Sequence, residues 1–290
     1  MREILLRAFA KVNYGLDVLG LRADGYHEVS TVMQSISLAD EVGLQRAAGG
    51  FDLSLEPKEV EIGPQERNST YLARKELQRL TGEELPVRVT LRKVIPAGAG
   101  LGGGSADAAA VLIGLNELFG LGLQPGELRE VGAAIGADVP YCISGGTALG
   151  EGVGEILTPL PAPPAHRLVV AKPPNSADTG KIYRAFDEAS TAGTHCVEPV
   201  VAALRSGSLP ALASAVGNDL TPVTAGFVPE VAALEQTLLT SGALGASMSG
   251  SGTAVYGIFD EAQVARIAKD ALDAPFVSVH EPVNRGVEIV

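Results

Sequence analysis

Residues 94–115, VIPAGAGLGGGSADAAAVLIGL, put five glycines into the seven positions 98–104 and run straight on into an alanine-rich apolar stretch. A loop of this kind has almost no side chains to give to a core. It can adopt left-handed backbone, and it lets main-chain N–H groups come close to a ligand. The preceding stretch PVRVTLRKVI, residues 86–95, alternates Val87, Val89 and Leu91 and predicts a strand that delivers the chain to Pro96. The apolar run predicts a helix from about Ala106 to Phe119, closed by Gly120. A helix opening at Ser105 would add unpaired N–H groups and the positive end of its dipole, and the segment therefore reads as a phosphate cradle. A tight turn capped by Ser105 would explain one or two of the glycines but not five.

Gly98, Gly100 and Gly103 also fit GxGxxG, the dinucleotide-binding pattern. That fingerprint belongs at the first strand–helix turn of a βαβ unit, whereas here a hairpin, a strand and a helix come first. Nor does a Walker lysine follow Gly104, because the next residues are Ser105 and Ala106. The formal net charge of −12 argues against a nucleic-acid or anionic-membrane partner held by a broad basic surface, so phosphate must be held locally. Cys142 and Cys196 lie far apart without metal-ligand spacing and read as reduced thiols of a cytoplasmic protein. No apolar run reaches about 18 residues, and the short N-terminal one is broken by Arg7, so no membrane span or signal segment is expected.

Along the chain, residues 16–22 and 26–38 flank Ala23, Asp24 and Gly25 and predict a β-hairpin whose second strand opens with Tyr26 and His27. A strand is predicted over 51–62, a helix from Asn68 to Leu80 stopped by Thr81 and Gly82, a helix over 126–135, and a loop through 136–140. Further strands are predicted near 146–150, 167–172 and 255–259, with helices over 179–189, 197–205, 210–216 and 228–241. Residues 248–254, MSGSGTA, form a second small-residue loop. Pro159, Pro161, Pro163 and Pro164 mark a boundary between two lobes, 1–158 and 159–290.

The segment PAGAGLGGGSADAA, residues 96–109, resembles the central nucleotide-binding motif of the GHMP small-molecule kinases, the family of galactokinase, homoserine kinase and mevalonate kinase. AKVN at 10–13, RADGYHE at 22–28 and GADVP at 136–140 resemble the branch that phosphorylates a cytidine-diphosphate-linked polyol for isoprenoid synthesis. MSGSGT at 248–253 resembles the family's third motif, and the matches run in order over most of the chain. The resemblance implies an α+β, two-lobed GHMP-kinase fold, with an N-terminal lobe like ribosomal protein S5 domain 2 and a ferredoxin-like C-terminal lobe. ATP would be the co-substrate with Mg²⁺, and both substrates would lie in the cleft between lobes.

Residue by residue, the resemblance implies Asp138 as general base and Lys11 as the cation that favours its charged form and stabilises the transferring phosphoryl group. ATP would be held by Asn68, by Pro96, Ala97, Gly98, Ala99, Gly100, Leu101, Gly102, Gly103, Gly104, Ser105 and Ala106, and by Ser249 and Gly250. Tyr26 and Tyr183 would close on the two faces of the cytosine, His27 would bind its polar edge, and Asn13 and Thr179 would line the same cleft. Plain structural roles stand beside these: a helix cap for Asn68 or Asp138, a solvated strand end for Lys11, edge-strand packing for Tyr26 and His27. The family's Val-Ser-x-x-Thr pattern is not kept at Asn175, Ser176 and Thr179. Asn218 and Asp219 read as structural. The rival readings are another kinase of the family acting on a small alcohol, a non-catalytic binding protein on the same fold, and a dinucleotide oxidoreductase.

Overall fold

The structure, a computed structural model, describes residues 3–57, 64–189 and 193–290. The chain begins with a long antiparallel hairpin of β1 (Glu3–Leu21) and β2 (His27–Arg46), whose turn is closed by hydrogen bonds from Gly25 N to Arg22 O and from Arg22 N to Tyr26 O. Strand β3 (Phe51–Glu56) ends sooner than expected, and positions 58–62 of that predicted strand lie outside the described residues. Helix α1 (Ser69–Thr81), strand β4 (Val87–Arg92), and helices α2 (Gly103–Phe119), α3 (Pro125–Ala133) and α4 (Val139–Ser144) follow. Strands β5 (Thr147–Glu151) and β6 (Ile156–Pro159) lead to the proline-rich connection.

Beyond it come β7 (Arg167–Lys172), α5 (Thr179–Ala189), α6 (Val197–Ser206), α7 (Leu209–Ala215), β8 (Gly217–Asn218), α8 (Thr221–Phe227) and α9 (Glu230–Thr240). The chain finishes with β9 (Gly245–Met248), β10 (Val255–Phe259), α10 (Ala262–Asp270), β11 (Phe276–His280) and β12 (Val287–Ile289). The first sheet runs β12-β1-β2-β4-β3, with β5, β6 and β8 attached at its side; the second is antiparallel in the order β11-β7-β10-β9. This is the expected α+β architecture. The expected lobe boundary, 158/159, falls at the last residue of β6, yet β8 and β12 return across it to pair with β1. Residues 217–218 and 287–289 thus belong to the sheet of the N-terminal lobe.

Packing explains why α2 is so poor in polar residues. Ala106, Ala108, Ala109, Ala110, Val111, Leu112, Leu115 and Leu118 are all buried, so the helix is covered nearly all round by the first sheet and by α1, as an unpatterned apolar helix must be. Without tryptophan, the largest buried side chains include Tyr14, Tyr141 and Tyr256, each with its hydroxyl paired, as buried phenols require. Both cysteines are free and buried, and burial pushes both thiols up, Cys196 to about 12.

Candidate active site

Strand β1 brings Lys11 and Asn13 to one face, since side chains two residues apart share a side of a strand. Register shifts between Phe9 and Lys11 and between Asn13 and Gly15 bracket the pair, and bulges of this kind re-aim side chains. The Lys11 ammonium donates to Asn13 Oδ1 at 2.8 Å and lies 3.4 Å from Asp138 Oδ2. Asn13 donates through Nδ2 to Thr31 Oγ1 at 2.7 Å, so its amide is held with the oxygen toward the lysine. Asp138 sits at the N-cap of α4 but makes no capping hydrogen bond, which leaves its carboxylate, one-third exposed, available to a substrate.

The glycine loop wraps over the lysine. Lys11 N donates to Leu101 O at 3.0 Å, and a Cβ on Gly102 would meet Lys11 Cγ at 3.0 Å. Gly102, in left-handed conformation, is the N-cap of α2, so the helix begins inside the glycine run and not at Ser105 as expected. Its first intrahelical bond is from Ala106 N to Gly102 O at 2.9 Å. The N–H groups of Gly103, Gly104 and Ser105 therefore have no acceptor within the helix, and no side chain caps them. Such a terminus attracts anions.

A buried charge cluster fixes the opposite side of the loop. The Lys93 ammonium bonds Asp40, within β2, and Asp107 Oδ2 in the first turn of α2, the latter at 2.7 Å. Asp40 also accepts from the N–H groups of Val94 and Ile95, which lead into the loop. One lysine shared by two carboxylates cannot neutralise both: burial, and secondarily Asp40, push the Asp107 carboxyl up to about 7 against the pull of Lys93.

The second small-residue loop lies directly against the first. Ser249 Oγ donates to Gly100 O at 2.8 Å, and Ala254 N donates to Ala99 O at 3.0 Å. Asn218 Nδ2 ties this loop down by donating to Met248 O and Gly250 O at 2.9 and 2.7 Å. Asn218 is thereby structural, as expected, and its work is to brace the loop.

Farther along the same cleft, His27 stacks on Tyr183 with ring centroids 4.6 Å apart and an angle of 30° between planes. His27 Nε2 meets Asp187 Oδ1 at 2.9 Å. Burial, then the negative charge of Asp138, push the Tyr183 phenol up to about 12. Thr179 Oγ1 and Ser251 Oγ share a hydrogen bond of 2.7 Å, joining α5 to the second loop. Tyr26 stands 67% exposed at the hairpin tip, beside the stack and outside it.

Lys11, Asn13, Tyr26, His27, Gly98, Gly100, Gly102, Ser105, Asp138, Thr179, Tyr183 and Gly250 all line one cleft of about 800 Å³. A wider cleft of about 1100 Å³ lies elsewhere, lined by Arg7, Arg167 and Arg285, but each of these arginines is paired with a glutamate, and none of the groups above reaches it. The smaller cleft is therefore the candidate active site. Residues 68–146 match the GHMP kinases N terminal domain and residues 200–278 the GHMP kinases C terminal domain. The chain belongs to the GHMP kinase family. A relative from Moorella thermoacetica, named 4-diphosphocytidyl-2-C-methyl-D-erythritol kinase, is 46% identical over 92% of this chain and 93% of its own. A protein of that name from Pelotomaculum thermopropionicum is 44% identical over 89% and 90%. A crystal structure of 4-(cytidine 5'-diphospho)-2C-methyl-D-erythritol kinase superposes with a TM-score of 0.80 at 34% identity, covering 97% of this chain and 99% of that one.

In this GHMP kinase several residues expected in the site also have structural roles. The Asn68 side chain accepts from Thr70 N at 2.9 Å and caps α1, which is the plain structural role open to it. Ala99 and Leu101 turn their side chains into the core, and Ala106 is buried in α2, so these three can offer only main-chain atoms. Ser249 is buried and acts through Gly100 and Asn13. Asn175 turns to Glu230 at 3.1 Å, while Thr179 keeps its place in the cleft despite the altered pattern. Arg184 and Asp187 belong to no motif that the sequence displays, although helical spacing from Thr179 through Tyr183 puts Asp187 on that face of α5, and the same step from Gly180 brings Arg184 to the cleft. The Asp40–Lys93–Asp107 cluster has no sequence signal, because its members come from three separate elements.

Proposed function

We propose that this kinase transfers the γ-phosphoryl group of ATP to the 2-hydroxyl of 4-diphosphocytidyl-2-C-methyl-D-erythritol, giving the 2-phosphate and ADP in non-mevalonate isoprenoid synthesis in the cytoplasm. The observation that carries the reading is the contact of Lys11 with Asp138 under the glycine loop, with an imidazole–phenol stack in the same cleft. Phosphoryl transfer needs alignment, charge stabilisation and a destination for the hydroxyl proton. The N–H groups at the start of α2 bind phosphate oxygens, Asp138 takes the proton, and the Lys11 ammonium faces the charge that builds on the transferring group. Arg184, which lines the cleft and forms no ion pair among the described residues, suits the substrate's diphosphate.

Magnesium fits this site as a passenger of the nucleotide. Among the described residues no group of three or more His, Cys, Asp or Glu is disposed to hold a metal, but Mg²⁺ carried on phosphates needs only one or two protein oxygens. Ser105 Oγ and the Asp138 carboxylate, both on the cleft wall, could supply them. When bound, the ion would draw charge from the β- and γ-phosphates.

ADP release in a coupled assay tests the reading, with the cytidine compound offered beside homoserine, mevalonate and galactose. Turnover with the cytidine compound alone is expected. Turnover with another alcohol would keep the kinase and remove the cytidine pocket, whereas ATP binding without any turnover would mark a non-catalytic binding protein. In the same assay Tyr183→Ala should raise KM for the cytidine substrate by about 10- to 100-fold, the loss of one stacking face at about 1–3 kcal/mol, and leave KM for ATP unchanged. An equal rise in both constants would mean that Tyr183 holds up the fold and not the base.

A further inference from the structure

The His27–Asp187 pair reaches beyond base stacking, provided that the cleft binds cytidine as proposed above. Asp187 lies four residues after Tyr183, one turn along α5, so one helix supplies both the phenol under the imidazole and the carboxylate at its edge. The His27 side chain is only 8% exposed, and its ring is fixed on two sides, by the stack and by the carboxylate. An ionised carboxylate can only accept, so the ring nitrogen that faces Asp187, Nε2, carries a hydrogen. In the neutral imidazole the other nitrogen, Nδ1, is then an acceptor, and it has no protein partner among the described residues.

The exocyclic group at position 4 separates the two pyrimidines of RNA precursors. Cytosine presents an amino donor there and a 4-oxo pyrimidine an acceptor. An acceptor at His27 Nδ1 pairs with the first and opposes the second with a lone pair. We propose that Asp187 is a positioning residue that sets the His27 tautomer and through it the preference for a 4-amino over a 4-oxo pyrimidine. A histidine without this carboxylate could present either nitrogen as donor and would accept both bases.

Calorimetric titration of the full chain with CDP and UDP tests this on the wild type, Asp187→Asn, Asp187→Ala and Asp187→Glu. The wild type should favour CDP by about tenfold or more, the cost of leaving a polar pair mismatched. In Asp187→Asn, whose amide can donate to Nε2 and reverse the tautomer, and in Asp187→Ala, the preference should fall below about threefold, while Asp187→Glu restores it. The dissociation constant for ATP and the thermal midpoint report on the integrity of each variant. If the Asn and Ala variants keep the wild-type ratio, or lose CDP and UDP equally, the tautomer role of Asp187 is wrong and the cytidine pocket stands. A wild type that does not discriminate removes the cytidine pocket itself, and this inference with it.

Discussion

Asp138→Asn is expected to lower kcat by about 10² or more while leaving the protein folded, because the amide cannot take the proton from the attacking hydroxyl. The substitution is nearly isosteric and disturbs no cap, since Asp138 makes no hydrogen bond to the start of α4. What it removes is a carboxylate 3.4 Å from a buried ammonium. Lys11→Met should have an effect of similar size by a different route, through loss of charge stabilisation on the phosphoryl group. Because the two groups act as a unit, the double variant should fall little below the worse single one. Steady-state turnover with saturating MgATP checks all three, with far-ultraviolet circular dichroism as the control for folding. Wild-type turnover by both single variants would remove Asp138 and Lys11 from the mechanism.

Gly100→Ala is expected to impair stability and ATP binding together. Gly100 has a φ of +73°, and a Cβ there would stand 2.0 Å from the carbonyl oxygen of Ser249 and 2.9 Å from its carbon. The left-handed backbone costs a non-glycine residue about 1–3 kcal/mol. Forcing the two loops apart adds about 1–3 kcal/mol more, and it cannot be relieved by a side-chain rotation because the obstacle is backbone. Gly82, also left-handed but with nothing within 4 Å of a built Cβ, separates the two contributions: Gly82→Ala should show the backbone cost alone. Thermal midpoints and ATP titration make the comparison. If Gly100→Ala matched Gly82→Ala in both, the contact between the loops would not govern the nucleotide site.

Much of this molecule can be read from local pattern. The strand–loop–helix unit around residues 87–119 is legible because alternation, a glycine run and an apolar helix are all local signals. The hairpin turn at residues 22–26 is legible for the same reason. Helix α2 nevertheless starts at Gly103, ahead of the expected Ser105, since Gly103 and Gly104 have poor helix propensity and are held helical by what packs on them: Ile95 and Lys93 against one, Ser69 beside the other. Strands β8, β9 and β12 have two to four residues each and exist only through their partners, too few for a periodicity to announce them. Pairing also decides that β12 closes the first sheet across the expected lobe boundary.

By itself the sequence determined the chemistry-bearing segments, their order and the family they resemble, because each is a short contiguous motif whose residue types carry the physics. Only the tertiary structure decided which of those residues share a cleft. Lys11 and Asp138 meet across more than a hundred residues of chain, the Asn68 side chain caps α1, and Asp187 joins His27 from α5. Contacts of that separation depend on how helices and sheets pack, and packing is a property of the whole core that no local stretch encodes.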